Sequence, residues 1–454
     1  MALRAYAWIL AYAGLAFFTL FRPIYGFILY ALDYFQHPRH RWWGKSTVLE
    51  EPRWSLIASC IWLASCLLAG LNLFDPKVIG QRAVKFLIAF AVVAIIVTQW
   101  AIAPEESKRY LEDIIKLVVF VLLLTATIHT KGLFKVAILT MILGAFSWGL
   151  DVWINPHRVG GRLERVGGSD TQGDNAAACH LVATLPLVAV LFLRGKLWEK
   201  ALAVISGGFI VNAIILCNSR GAIVSFLAGG LALVLLSPGK MRKHLIVLGV
   251  IGLGAFAMLM DETFINRQRS TLSYEEDGSA MGRLETWKGG LRLISDHVVG
   301  VGGGGFNRLS PQYLPDVVDA HGGADRAAHN TYIWVASDWG IQGLLCYVGF
   351  LLAMIASLHK LRRHPDPSIG SWAPAMEAAL IGFMVNSVFI NRLYAEVQYW
   401  YCGLACALVN LAREGAAVPA GEGGLTLPPV AAGPPVMPND AGGDSVTGEP
   451  CRTS

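Results

Sequence analysis

Apolar runs of near-spanning length recur at about 5–21, 24–35, 54–74, 84–103, 114–129, 132–154, 177–193, 201–217, 221–237, 245–260, 331–358, 375–391 and 397–412. A backbone in hydrocarbon must satisfy its own polar groups, which leaves helices or a closed barrel. The runs are continuously apolar rather than alternating, so they read as helices. Some fall short of the ~20 residues a crossing takes and need a polar turn at each end. The predicted fold is all-α, a polytopic membrane helix bundle of 12–13 spans read from these runs. With 54% of its 454 residues hydrophobic and only 15% charged, the chain lacks the charge that a soluble protein of this length exposes.

The net charge of +5 is spread over the loops, so no nucleic-acid surface is implied. Seven of the eight cysteines lie in or beside apolar runs. None has metal-ligand spacing with histidine, and they read as small packing residues. The amino terminus lacks a cleavage-site pattern and reads as a retained membrane segment.

Clusters at Arg194/Lys196/Lys200, Lys240/Arg242/Lys243 and Lys360/Arg362/Arg363 fall on one face when spans are counted. The positive-inside rule makes that face cytoplasmic. The segments 155–176, 261–330 and the Ser219-Arg220 turn then face outward. Arg39, Arg41, Lys45 and Arg53 would also lie outside if residues 1–35 make two complete spans. Either that pair is a shallow re-entrant, or the loop is anchored by Trp42, Trp43 and Trp54. Four regions follow: membrane helices over 1–260, an outward loop over 261–330, membrane helices over 331–414, and a Gly/Pro/Ala-rich tail over 415–454 that reads as a disordered cytoplasmic extension.

The 261–330 loop is roughly seventy mostly polar residues in a chain of otherwise short connections. Within it Met281, Leu284, Trp287, Leu291 and Ile294 recur at helical spacing and predict an amphipathic helix over 281–295. Such a helix would lie on the bilayer surface or on the tops of the membrane helices. Arg283 opens it, and on pattern alone reads first as a solvated helix residue. Gly302–Gly305 could form a backbone nest for an anion, although a plain turn is the simpler reading. Asp316, Asp319, His321 and Asp325 match no specific cation site.

His329 precedes the next apolar run, where Asn330 or Thr331 can cap the helix. A lone histidine is more often structural, yet a neutral imidazole at a membrane surface suits a general base. Arg220, in Asn218-Ser219-Arg220-Gly221, could snorkel from a helix end. An outward arginine at a membrane boundary also suits bidentate capture of phosphate. Arg158, Arg162 and Arg165 precede Asp174 and Asn175, either of which can cap the following helix. Three outward arginines suggest a phosphate-bearing or acidic ligand.

Taken in order, Ser219-Arg220-Gly221, Gly282-Arg283 with Trp287, Gly302–Phe306 and His329-Asn330 resemble the O-antigen ligase and Wzy-type superfamily of bacterial envelope glycosyltransferases. Ser273–Ala280 before Gly282-Arg283, with Arg22-Pro23 and His37-Pro38-Arg39, resembles the O-glycosylation ligases associated with exosortase A systems. The residues His321 to Ala327 depart from the commoner loop.

The resemblance implies a GT-C-like transferase in the bacterial inner membrane that uses neither nucleotide sugar nor metal. Its donor would be a glycan on undecaprenyl pyrophosphate, and its acceptor a hydroxyl on lipid A core, a protein or the growing polymer. Arg220 and Arg283 would hold the pyrophosphate, and His329 would deprotonate the acceptor in one inverting displacement. Arg158, Arg162, Arg165, Trp287 and Asn330 would contact substrate. A Wzy-type polymerase and a lipid-linked oligosaccharide transporter are the alternatives, and a transporter has no need of His329.

Overall fold

Each of the thirteen apolar runs is helical. The computed structural model describes residues 3–45, 47–159, 162–164, 166–168, 173–260, 262, 264–265, 278–319 and 322–417. Arg165, Ser273–Asp277, His321 and the tail from 418 lie outside the described residues.

In chain order the helices are α1 (Leu3–Thr19), α2 (Ile24–Phe35), α3 (Trp54–Leu68), α4 (Pro76–Ile79), α5 (Arg82–Val97), α6 (Pro104–Thr127), α7 (Lys131–Ile154), α8 (Asp174–Arg194), α9 (Leu197–Cys217), α10 (Arg220–Leu236), α11 (Gly239–Leu259), α12 (Gly278–Asp296), α13 (Gly305–Tyr313), α14 (Pro315–Asp319), α15 (Thr331–Leu361), α16 (Pro367–Gly370), α17 (Trp372–Asn386) and α18 (Glu396–Ala417). A hairpin ladder, β1 (Arg158–Val159) against β2 (Arg162–Leu163), interrupts them.

The fold is an all-α polytopic membrane bundle. Among the described residues, seven helices are long and apolar enough to cross a membrane, beginning at Arg82, Lys131, Asp174, Leu197, Gly239, Thr331 and Pro367. The other apolar runs form helices that are shorter, or that carry charge over part of their length as α6 does from Glu105 to Lys116. The core is aromatic. Trp62, Trp148, Trp339 and Trp400 are fully buried, and Trp400 stacks on Phe120 with centroids 5.9 Å apart. Where helices cross most closely, small residues permit it. A Cβ on Gly382 of α17 would sit 3.1 Å from the Ser225 carbonyl of α10.

Side-chain pairs define two ends of the bundle. At one end Lys131 reaches Asp366, Lys135 pairs with Glu199 at 2.6 Å and Gln81 donates to Asn410 at 2.7 Å. At the other, Trp100 donates to the Gly300 carbonyl at 3.1 Å and Thr331 N–H to the Ser387 carbonyl at 2.8 Å. Helix direction puts the clusters around Arg194, Lys240 and Lys360 at the first end. The 36–53 segment belongs to the second end, next to the C-terminus of α7, and Arg41 explains how. Its guanidinium is buried, pairs with Asp151 of α7 at 3.1 Å and donates to the Phe35 carbonyl at 2.7 Å. That pairing neutralises Arg41, one of the four cations in this outward segment.

Helix α15 is not continuous. Gly340 adopts φ 76° and ψ 175° and breaks it after Trp339. Backbone freed by such a break must find partners. The polar loop supplies them: Ile341 N–H donates to the Val298 carbonyl at 3.0 Å, Val301 N–H to Ser337 at 3.1 Å and Gly302 N–H to Asp338 at 2.8 Å. The root of the loop is therefore packed inside the bundle end.

Candidate functional site

The glycine run is a nest, and its anion belongs to the chain. Asp338, buried on α15, accepts from Gly304 N–H and Phe306 N–H at 2.8 Å each. Gly303 N–H donates to Ser107 Oγ of α6 at 3.0 Å. Gly302–Gly305 is thus neither a free anion site nor a plain turn; it latches the loop to α15 and α6. Gly300 has φ 87°, and a Cβ there would collide with the Gly340 nitrogen and lie 2.7 Å from the Asp338 carbonyl. Gly300→Ala is expected to destabilise the protein by about 1–3 kcal/mol, from left-handed strain and backbone collision together. Thermal unfolding in detergent reads this, and an unchanged midpoint would contradict the latch.

Upstream of the latch, α12 fixes Arg283. The expected helix over 281–295 is present, but its apolar stripe is only partly packed: Met281, Leu284 and Leu291 are exposed, Trp287 and Ile294 half-buried. The helix packs through Thr286, Gly289, Gly290 and Leu293 instead. Small residues let it approach closely, and a Cβ on Gly290 would meet Ile333 of α15 at 2.5 Å. The helix thus lies against the top of α15, one of its two expected settings. Arg283 lies at the edge of the packed face and is half-buried. Trp287 is half-buried, and its indole N–H is enclosed without a hydrogen-bond partner.

His329 stands at the junction of the loop and α15. Asn330 is the N-cap, its side-chain oxygen accepting from Tyr332 N–H at 2.9 Å and Ile333 N–H at 3.1 Å. That oxygen is committed to the cap. The connector between α17 and α18 holds this junction from behind. Asn391 accepts from Asn330 N–H at 3.1 Å, Thr331 Oγ1 donates to the Ile390 carbonyl at 2.7 Å, and the buried Arg392 donates its N–H to Thr331 Oγ1 at 2.8 Å. Burial first, then the charges of Arg283 and Arg326, push the His329 imidazole down to about 4. It is neutral at physiological pH, as a base must be.

Arg220 is the first residue of α10, half-buried, behind the N-cap Ser219, whose hydroxyl accepts from Ala222 N–H at 3.4 Å. A Cβ on Gly221 would lie 3.1 Å from Phe389 of the same α17–α18 connector. Arg220 and His329 therefore both border that connector. Asn218 (φ 50°) and His329 (φ 48°) are the two non-glycine residues with left-handed backbone among those described. Strain of this kind collects at functional sites.

Other sequence expectations fare differently. Arg158 is exposed on the first strand of the hairpin, Arg162 belongs to the second strand, and Arg165 lies outside the described residues. Neither Asp174 nor Asn175 caps α8. Gly173 takes the N-cap with φ 106°, and Asp174 is the first helical residue, where its charge favours the helix dipole. Among the described residues no three His, Cys, Asp or Glu side chains gather as metal ligands.

The sequence reading missed Arg326, Asp338 and the Ser387–Arg392 connector. Asp338 carried a signal, an acid within an apolar run. Arg326 did too, as the one cation in Gly322–Asn330.

Residues 202–348 match a family model described as O-Antigen ligase. The match covers roughly a third of the chain and contains Arg220, Arg283, the glycine latch and His329 in that order. A search of curated proteins finds no match. The family match supports the O-antigen ligase superfamily, and with it a membrane enzyme of ligase or polymerase type acting on lipid-linked glycans. It does not reach the exosortase-associated subgroup.

Proposed function

We propose that the chain moves a glycan from undecaprenyl pyrophosphate to an acceptor hydroxyl at the periplasmic face of the inner membrane. The observation that carries this reading is a half-buried, neutral imidazole at the end of the bundle opposite the Arg194, Lys240 and Lys360 clusters, with a half-buried arginine acting on it. Arg283 and Arg220 bind the pyrophosphate and stabilise charge on the leaving group. The N-terminus of α10 adds its own preference for an anion. His329 removes the acceptor proton as its oxygen attacks the anomeric carbon. The C–O bond to pyrophosphate breaks in the same step, inverting the configuration. Pyrophosphate is a good leaving group, so two guanidinium groups can take the part a metal would play.

A ligase of the O-glycosylation type is favoured by the resemblance of Ser273–Ala280 and of the amino end, on sequence alone. A polymerase would use the same chemistry on a different acceptor. A transporter has no use for a neutral base beside the arginines.

The test is reconstitution of the full chain in liposomes with lipid-pyrophosphate-linked glycan and candidate acceptors. Covalent glycan on the acceptor is expected; movement of donor across the bilayer without product would overturn the reading. In a cysteine-free background, Asp316→Cys should react with an impermeant reagent in cells whose inner membrane is intact, and Lys360→Cys only after permeabilisation. Both positions are exposed.

A further inference from the structure

The connector between α17 and α18 holds the His329 junction, and the connector itself has to be held. The two requirements meet at Arg392. Its N–H donates to Thr331 Oγ1 at 2.8 Å on the junction side, and its carbonyl accepts from Gln398 Nε2 at 2.8 Å on the α18 side. Gln398 stands in the first turn of α18 and is fully buried. The same Nε2 donates to the Leu393 carbonyl at 2.7 Å, and Oε1 accepts from the Tyr347 hydroxyl of α15 at 2.9 Å. One side chain thus ties the connector to the interior of α15, the helix that His329 precedes. A buried amide met at both its oxygen and its nitrogen fixes its surroundings, because each alternative leaves a polar atom unmet in an apolar bundle.

Satisfying two carbonyls does not account for this arrangement. The Arg392 carbonyl also accepts from Ala395 N–H at 3.1 Å, and the Leu393 carbonyl from the Tyr399 hydroxyl at 2.8 Å. What Gln398 adds is the tie from both to Tyr347. His329 needs such a tie. A non-glycine residue at φ 48° persists where its surroundings over-determine it. Here the surroundings are Asn330 and Thr331, bonded to Asn391, Ile390 and Arg392.

We propose that Gln398 is a positioning residue for transfer, and that the line Tyr347–Gln398–Arg392 aims the His329 imidazole at the acceptor. This rests on the general-base role given to His329 above. The donor side is held separately. Phe389, which meets the Arg220 turn, is tied back to α17 by its own N–H on the Asn386 carbonyl at 2.8 Å. Loss of Gln398 therefore loosens the base and leaves the phosphate site in place.

The experiment compares full-length variants in nanodiscs, with a lipid-pyrophosphate-linked glycan and a hydroxyl acceptor on which the unsubstituted protein acts. Gln398→Met keeps the volume and removes all the side-chain bonds. It is expected to lower kcat by about 10- to 100-fold, the effect of displacing a reacting group by about 1 Å, with the donor KM unchanged within about twofold. Tyr347→Phe deletes one hydroxyl and keeps the carbonyl bonds, so kcat should fall less; it decides the question if Gln398→Met fails to accumulate. Made in the His329→Asn protein, Gln398→Met should add no further loss, because no base is left to aim. Tyr401→Phe is the control for a buried bond on the same helix: its hydroxyl donates to the Ala183 carbonyl of α8 at 2.6 Å, and kcat should hold. Unchanged kcat in Gln398→Met and Tyr347→Phe would overturn the assignment. So would a loss that multiplies with that of His329→Asn, or one matched by Tyr401→Phe, since either makes Gln398 a part of the fold alone. In each of those cases an impaired His329→Asn leaves the proposed function standing. Full transfer by His329→Asn would instead remove the base, and this proposal with it.

Discussion

Replacing His329 by asparagine is expected to lower glycan transfer by about 10²–10⁴-fold, the usual contribution of a positioned general base. Asparagine is the informative choice because residue 329 has φ 48°. Asparagine tolerates the left-handed region better than alanine, so the backbone is kept and the base alone is lost. Donor binding should survive, since the arginines remain. Full activity in this variant would return His329 to a structural role.

The pH dependence gives a second reading of the same residue. Burial, Arg283 and Arg326 hold the free imidazole at about 4. Only the neutral form accepts a proton, so activity is lost as pH falls through that value. The kcat/KM profile, which reports the free enzyme, should stay level down to about pH 5 and fall through about 4. A bound pyrophosphate offsets both guanidinium charges and should raise the imidazole. The acidic limb of kcat should then lie above that of kcat/KM. Binding the donor would strengthen the base only when there is something to attack. Coincident limbs, or an acidic limb that persists in His329→Asn, would show that another group titrates.

Arg283→Lys and Arg220→Lys are expected to cost about 10- to 100-fold each in transfer, because an ammonium keeps the charge and loses the two-pronged donor geometry. The losses should appear mainly in donor KM if the phosphate is held equally before and during reaction, and in kcat if the grip tightens as the bond breaks. Protein abundance and unfolding midpoint should change little, since lysine can follow the same half-buried path. A lysine variant with unimpaired kcat and KM would take that arginine out of the donor site. The two positions serve as mutual controls, for one is the first residue of a membrane helix and the other sits on a surface helix.

Much of this architecture was legible because hydrocarbon permits so few solutions. Every apolar run became a helix, and the Asn330 cap was readable from its place before one. The stripe of α12 was also readable, but not which face packs. Periodicity marks apolar residues, whereas close approach to α15 is set by Gly290 and to Leu314 by Gly289, which carry no apolar signal. The glycine latch was hidden for a different reason. Its anion, Asp338, lies more than thirty residues downstream of the amides it accepts from, and no local pattern links the two. Arg326 was visible as a charge but not as a neighbour of His329, because only the turn at φ 48° and the Ser310 bond fix that approach.

The stitches behind His329 also bear on when the protein can become active. Arg220, Arg283 and His329 leave the ribosome in that order, yet the bonds that hold the 330–331 junction come from Ser387, Ile390, Asn391 and Arg392. The chain thus carries every side chain of its chemistry before it has the clasp that aims them. A nascent or truncated protein ending before Ser387 would hold the parts in an unaimed state. Competence waits for the connector that follows α17, so maturation is built into the reading direction of the chain.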